Sequence, residues 1–211
     1  MSARRLALAL ALALAACRRG THATDAGRDA APCHCHHDAA APRALSPPPD
    51  TSVFHLGGAW RDQLDRPFEL ASLRGGPAVV LMFYGTCRSV CPILLGDVKR
   101  LEAALDPAAR AHTRFVLVTF DPATDTPERL RSLAAERGMD ASRWALLRGD
   151  DDDIRALATV LGVQYSRVGP GEFTHSNVLT VLDAEGRVAG QLEGLRQPVE
   201  PTARAIEALA R

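Results

Sequence analysis

Residues 77–84, PAVVLMFY, form an unbroken apolar run of strand length, followed at once by GTCRSVCP and then by a helical pattern. A strand with no polar alternation must be buried on both faces, so helices have to cover each side of its sheet. That one stretch predicts a layered α/β domain and puts a cysteine-bearing loop at the end of a central strand. The following residues agree. Ile93, Leu94, Val98, Leu101 and Leu105 recur at helical spacing on one face. RFVLVTF (114–120) is a second buried strand, and DTPERLRSLAAERG opens with Thr126 as N-cap, places Pro127 at the first helical position and closes on Gly138. WALL is a short strand, and GDDDDIRALATVLG is a helix from about Asp151 to Leu161. Its four aspartates are read as a solvated helix start offsetting the dipole rather than as a cation site. NVLTVLD and RVAGQLEG flank an AEG turn as a hairpin, and a final helix follows. Upstream, VFHL and AWRDQLDRPFEL read as two short strands around a turn. The order predicts an α/β thioredoxin-like sandwich with a mixed central sheet and an N-terminal β-hairpin.

The N-terminal fifty residues differ in kind. MSARRLALALALALAAC has two arginines, an Ala/Leu run of about a dozen residues and then Cys17, the layout of a secretory signal ending in a lipobox-like site. Residues 1–17 are therefore read as a signal peptide and Cys17 as the lipidation site, which makes the mature protein an extracytoplasmic, membrane-anchored bacterial lipoprotein, periplasmic or cell-surface. Residues 18–50 have one leucine, no aromatic residue and no apolar periodicity, and read as a disordered tether stiffened at its end by SPPPD. Residues 51–211 are the folded domain. With 25 basic and 25 acidic residues the chain has no net charge, which removes nucleic acid as a main partner.

Two groups of soft ligands stand out. Cys87 and Cys91 occupy the strand–loop–helix junction, where α/β folds keep their ligand sites. Pro92 in the first helical turn would put Cys91 at the N-cap, and unpaired helix N–H groups there should depress both thiol pKa values. Cys-x-x-x-Cys is one residue longer than the common redox spacing and can chelate a soft ion or close to a disulfide. His175, in GEFTHSNVLTVLD, sits at the entry to a later strand whose end faces that loop, whereas His55 and His112 have no such context. Two thiolates with one imidazole suit copper, as Cu(I) or tetragonal Cu(II), and zinc less specifically.

The second group, Cys33, His34, Cys35, His36 and His37, lies on the tether. A Cys33–Cys35 disulfide would close a very small, strained ring. The cluster reads as a secondary, weaker copper-collecting site, with zinc or nickel capture and an accident of composition as the other readings.

TCRSVCP (86–92), VTFDPATDTPERL (118–130) and FTHSNVLTVLDAEGRV (173–188) occur in an order and spacing that resembles the SCO/SenC family of copper-binding thioredoxin-fold proteins, from about Asp50 to the C-terminus. The resemblance implies a membrane-tethered copper chaperone that helps assemble the binuclear copper centre of cytochrome c oxidase. By motif, Cys87 and Cys91 match the family's copper thiolates, His175 its histidine ligand, and Asp121 an acidic residue in a supporting role. Implied partners are the oxidase's copper-bearing subunit or another copper or thiol client, and a copper-donating chaperone. Two departures bear on the client: Arg88 stands where the family usually has proline, and residues 164–174 are short for the excursion before the histidine. The competing function is thiol–disulfide exchange, with Cys87 and Cys91 as a redox pair that reduces client cysteines.

Overall fold

The computed structural model describes residues 52–211. The segments read as signal peptide and tether, with Cys17 and the Cys33–His37 cluster, lie outside the described residues. Five strands form the central sheet: β1 (Ala78–Phe83), β2 (Arg114–Thr119), β3 (Trp144–Leu147), β6 (Val178–Leu182) and β7 (Val188–Glu193), in spatial order β3-β2-β1-β6-β7. β1, β2 and β3 run parallel, while β6 and β7 are antiparallel to their neighbours, so the sheet is mixed. β1 is central and buried throughout. Val79, Leu81 and Phe83 point into one cluster with Leu94, Val98 and Leu101 of α1 (Cys91–Ala104) and Ala203 and Ile206 of α5 (Glu200–Leu209). Ala78, Val80 and Met82 point into the other, with Ile154, Leu157 and Ala158 of α4 (Asp151–Val160). The apolar run of residues 77–84 is thus the sum of two alternating faces, each covered by helix. The thioredoxin-like sandwich follows from that arrangement.

α3 (Pro127–Glu136) starts as its sequence signals, with the Thr126 hydroxyl accepting from the Arg129 amide and Pro127 in the first turn. α2 (Pro107–His112), a six-residue helix capped by Asp106, adds an element that the apolar pattern does not reveal. The four aspartates do begin α4, and Asp153 accepts from the Ala59 amide at 3.0 Å.

The segment read as an N-terminal β-hairpin forms turns joined by a bridge. Val53–His55 and Leu70–Leu73 are 3-10 turns, and between them only a single bridge, Arg61 to Pro67, closes the turn. Asp62 is the reason. Its carboxylate accepts from the amides of Leu64 and Arg66 at 2.8 and 2.9 Å and from the Arg66 guanidinium at 2.8 Å, a side-chain turn that replaces a strand ladder. The neighbouring backbone is spent on the edge of β3: Arg61 exchanges both amide bonds with Arg148. Buried Gln63 accepts from Leu146 N–H at 2.9 Å and donates to the Trp144 carbonyl at 3.1 Å, so its amide completes the edge strand as another strand would.

Two positions orient the domain. The Val53 amide donates to the Gly186 carbonyl at 2.9 Å, fixing the start of the described chain on the β6–β7 turn. From the other end of the chain, Glu207 of α5 accepts from Asp106 N–H just beyond the C-terminal end of α1. Because Ala78 pairs with Leu182, both sit at the pole where β1 begins, about 20 Å of strand from where it ends.

Candidate metal centre

The site is built where β1 ends. Tyr84 and Gly85 leave the strand, the Cys87 amide donates to the Tyr84 carbonyl at 3.3 Å, and α1 begins at Cys91. Val90 is the N-cap, without a side-chain cap, so Cys91 is the first helical residue and not the cap itself. The unpaired first-turn amide of Cys91 is met by the Cys87 sulfur, which accepts from it at 3.3 Å.

This shared amide splits the two thiols. Burial pushes Cys87 upward, but the N–H groups of Cys91 and Ser89, the Cys91 thiol and the Tyr84 hydroxyl outweigh it and bring its pKa down to about 7. Cys91 is only 2% exposed. Burial pushes its thiol up to about 12, with the nearby Cys87 and Asp125 charges adding to the rise. The expectation that both thiols are depressed therefore holds for Cys87 and fails for Cys91, because depth in the core outweighs the helix terminus there.

His175 arrives from a separate two-stranded hairpin, β4 (Tyr165–Gly169) paired with β5 (Glu172–His175). It is the last residue of β5, two residues before β6 enters the main sheet. Its Nε2 lies 3.7 Å from Cys91 Sγ, although 84 residues separate them in sequence. Its Nδ1 is 2.9 Å from the Ser176 carbonyl, which can only accept. The ring is therefore the Nδ1–H tautomer when neutral, and the Nε2 lone pair faces the cysteine, as a ligating histidine requires. Phe120 and Tyr84 flank the ring at centroid distances of 5.3 and 5.9 Å. Among the described residues no three His, Cys, Asp or Glu side chains already stand in a metal-holding arrangement. Cys91 and His175 are together, Cys87 is adjacent, and full closure on one ion takes side-chain movement.

The remaining residues take varied places. His55 and His112 are exposed and away from the centre. Arg88 is exposed on the cysteine loop. Asp121 is buried beside the hairpin, its carboxylate 3.4 Å from Arg167. Asp125 is a strap: it accepts from Gly85 N–H at 2.8 Å and from the Thr119 hydroxyl, tying the ends of β1 and β2. A Cβ at Gly85 would collide with Asp125 Oδ1, so the loop needs glycine there. Gly85→Ala should lower the unfolding free energy by about 1–3 kcal/mol, the cost of leaving a buried acceptor unmet. Urea unfolding checks it, and an unchanged midpoint would mean that Asp125 simply yields. Tyr84, Thr86 and Arg167 were not singled out by the sequence. A GPG turn (169–171) flanked by aromatic and basic residues was the available signal for the hairpin that engages them.

A thioredoxin-like sandwich carrying a cysteine pair on the loop between its central strand and first helix, with a histidine brought to that loop, defines a class of thiol-and-imidazole proteins. The family model described as SCO1/SenC matches residues 53–211, three quarters of the chain, and the chain belongs to that family. It is 27% identical over 135 residues to a putative copper-binding protein of Stutzerimonas stutzeri, a match spanning 62% of this chain and 65% of the relative's length. Among solved structures, a SCO1/SenC family lipoprotein from Bacillus anthracis aligns with a TM-score of 0.64 and 26% identity, covering 72% of this chain and 92% of that one. Bradyrhizobium japonicum ScoI with copper bound aligns with a TM-score of 0.61 and 20% identity over 72% and 96% of the two chains, which speaks to the fold.

Proposed function

We propose that this protein binds copper through Cys87, Cys91 and His175 and delivers it to a copper client outside the cytoplasm, the binuclear centre of cytochrome c oxidase being the client the family suggests. The observation that carries the reading is the approach of His175 Nε2 to Cys91 Sγ at 3.7 Å, beside Cys87. Two thiolates and a neutral imidazole leave a bound Cu(I) with one net negative charge and a bound Cu(II) with none, a donor set soft enough for the first and basic enough for the second. Loading at neutral pH displaces the proton that Cys91 holds. The copper-binding relative and the copper-bound neighbour support the choice of ion. Titration of the reduced protein with Cu(I) against a competing chelator should give one copper per domain. Cys87→Ser/Cys91→Ser should abolish that site, and unchanged affinity in a variant that also lacks residues 31–38 would overturn the proposal.

Lipidation at Cys17 and an extracytoplasmic, membrane-anchored location belong to the same reading, supported by the signal-like N-terminus and by a solved relative that is a lipoprotein. Residues 33–37 serve on this view as an auxiliary copper collector. Deleting 31–38 should slow loading at limiting copper and leave the final affinity unchanged; equal loading rates would remove that role.

One observation favours a second reading, thiol–disulfide exchange. A partly exposed thiol near pKa 7 beside a buried thiol near 12 is the division of labour of an attacking and a resolving cysteine. Cys87 would attack a client disulfide, and Cys91, on losing its proton, would displace the client. The client leaves as a dithiol and the Cys87–Cys91 pair as a disulfide. His175→Ala separates the two readings, since exchange survives without the imidazole and tight copper binding does not.

A further inference from the structure

His175 does not belong to the main sheet, and the way its hairpin is fastened is the least settled part of the site. Beyond the packing of the Phe173 and His175 rings on Tyr84 and Phe120, four side-chain contacts tie β4–β5 to the body. Tyr84 O–H donates to the Phe173 carbonyl at 3.3 Å, and Thr86 O–H donates to the Gly171 carbonyl at 3.2 Å. Phe120 stacks on Tyr165 with centroids 4.5 Å apart. The fourth is Arg167 Nη2 to Asp121 Oδ1 at 3.4 Å, with the same guanidinium 4.5 Å over the Phe173 ring.

That last contact is incomplete on both sides. The Asp121 side chain is 2% exposed, yet its Oδ2 has no hydrogen-bond partner, while the Arg167 side chain is 52% exposed and engages it through one nitrogen at long range. An ionised carboxylate buried with one oxygen unmet is costly, and a guanidinium offers a two-point fork that matches it. Asp121 itself cannot travel: its amide donates to Thr119 Oγ1 at 2.9 Å, and its carbonyl accepts from the amides of Thr124 and Asp125. The movable half is the hairpin. It is also the half that carries a ligand whose partners have not yet closed into a metal-holding set.

We propose that Asp121 and Arg167 form a positioning clasp that sets how far the β4–β5 hairpin carries His175 toward the thiols, closing from one contact to two as the three donors converge. The inference rests on the copper reading only for what the closure serves. The clasp itself is a property of the metal-free protein.

Arg167→Gln tests it in the metal-free and the copper-loaded protein. In the metal-free protein, amides of residues 165–175 should exchange with deuterium about tenfold faster than in wild type, with β1, β2 and β3 unchanged, because a local opening that loses one fastening is read only in that hairpin. In the copper-loaded protein, affinity should fall roughly tenfold to hundredfold, the usual effect of removing a residue that orients a metal ligand. The imidazole nitrogen splitting in the Cu(II) EPR spectrum should weaken, and Arg167→Lys should restore part of both. If Arg167→Gln does not fold, Asp121→Asn/Arg167→Gln removes the buried charge with its partner and takes its place in the same measurements. Wild-type exchange in the hairpin would overturn the clasp, and so would faster exchange with unaltered nitrogen splitting and affinity. Faster exchange in a protein whose wild type binds no copper would instead overturn the copper reading and leave the clasp standing.

Discussion

Iodoacetamide added to the reduced, metal-free protein at pH 7 should modify Cys87 and spare Cys91. With a pKa of about 7, half of Cys87 is thiolate at that pH. With a pKa of about 12, only about one Cys91 in a hundred thousand is ionised. The thiolate is the nucleophile, so the ratio of rates follows the ratio of ionised fractions, softened by the lower intrinsic reactivity of the more acidic thiol and sharpened by the burial of Cys91. The sign of the pH dependence is fixed by the same values. Labelling of Cys87 rises through pH 7 and levels above it, because deprotonation is then complete, while Cys91 stays silent across the neutral range. Mass spectrometry of the alkylated peptides over pH 5–9 reads both profiles. Equal labelling, or a Cys87 midpoint near the ordinary thiol value, would show that the Cys91 amide does not hold the Cys87 sulfur. Copper loading should protect both.

Phe83→Ala should be the most destabilising single change near the centre. Phe83 is the last residue of β1, fully buried, and shares a cluster with Cys91, Leu94 and Leu130. Truncation removes its transfer free energy and leaves a cavity, together about 3–5 kcal/mol. For a domain of this size that is roughly 6–20 °C in Tm, by calorimetry on the reduced protein. The change also reaches the chemistry. Cys91 owes its high pKa first to burial, so a cavity that admits water beneath the cysteine loop should lower it and open the residue to alkylation. A fall in Tm with Cys91 still silent would mean that the loop is supported by α1 rather than by the end of the strand.

The parts legible in the sequence are those whose cause is local. The continuous apolar run of β1, the Thr126–Pro127 helix start and the Cys87–Cys91 loop all carry their reason within a few residues. The approach of His175 to the cysteine loop was legible because strand order alone brings its end of the chain back to β1. What escaped depends on depth or on a partner distant in sequence. Nothing in CRSVC says that Cys91 is 2% exposed, and that number decides its ionisation. Asp62 and Gln63 look like ordinary turn and strand residues until the β3 edge they serve is in place. The β4–β5 hairpin has exposed residues along most of β4, so it shows no alternation to find; its order comes from Arg167, Phe173 and Tyr165 meeting Asp121, Tyr84 and Phe120, the residues just past the ends of β1 and β2. α2 was marked by Asp106–Pro107, a cap signal too close to the end of α1 to separate from it by periodicity.

The hydrogen bond from Val53 to the β6–β7 turn gives the molecule a front and a back. The described chain starts at the pole where β1 begins, and α5 ends at that pole too, with Glu207 beside Asp106. Cys87, Cys91 and His175 occupy the other pole. A domain fixed directly at Val53 or at Arg211 therefore presents Cys87, Cys91 and His175 on the side away from the support. A molecule approaching from that side meets the cysteine loop and the Gly169–Gly171 turn first, and a purification tag placed after Arg211 stands clear of both.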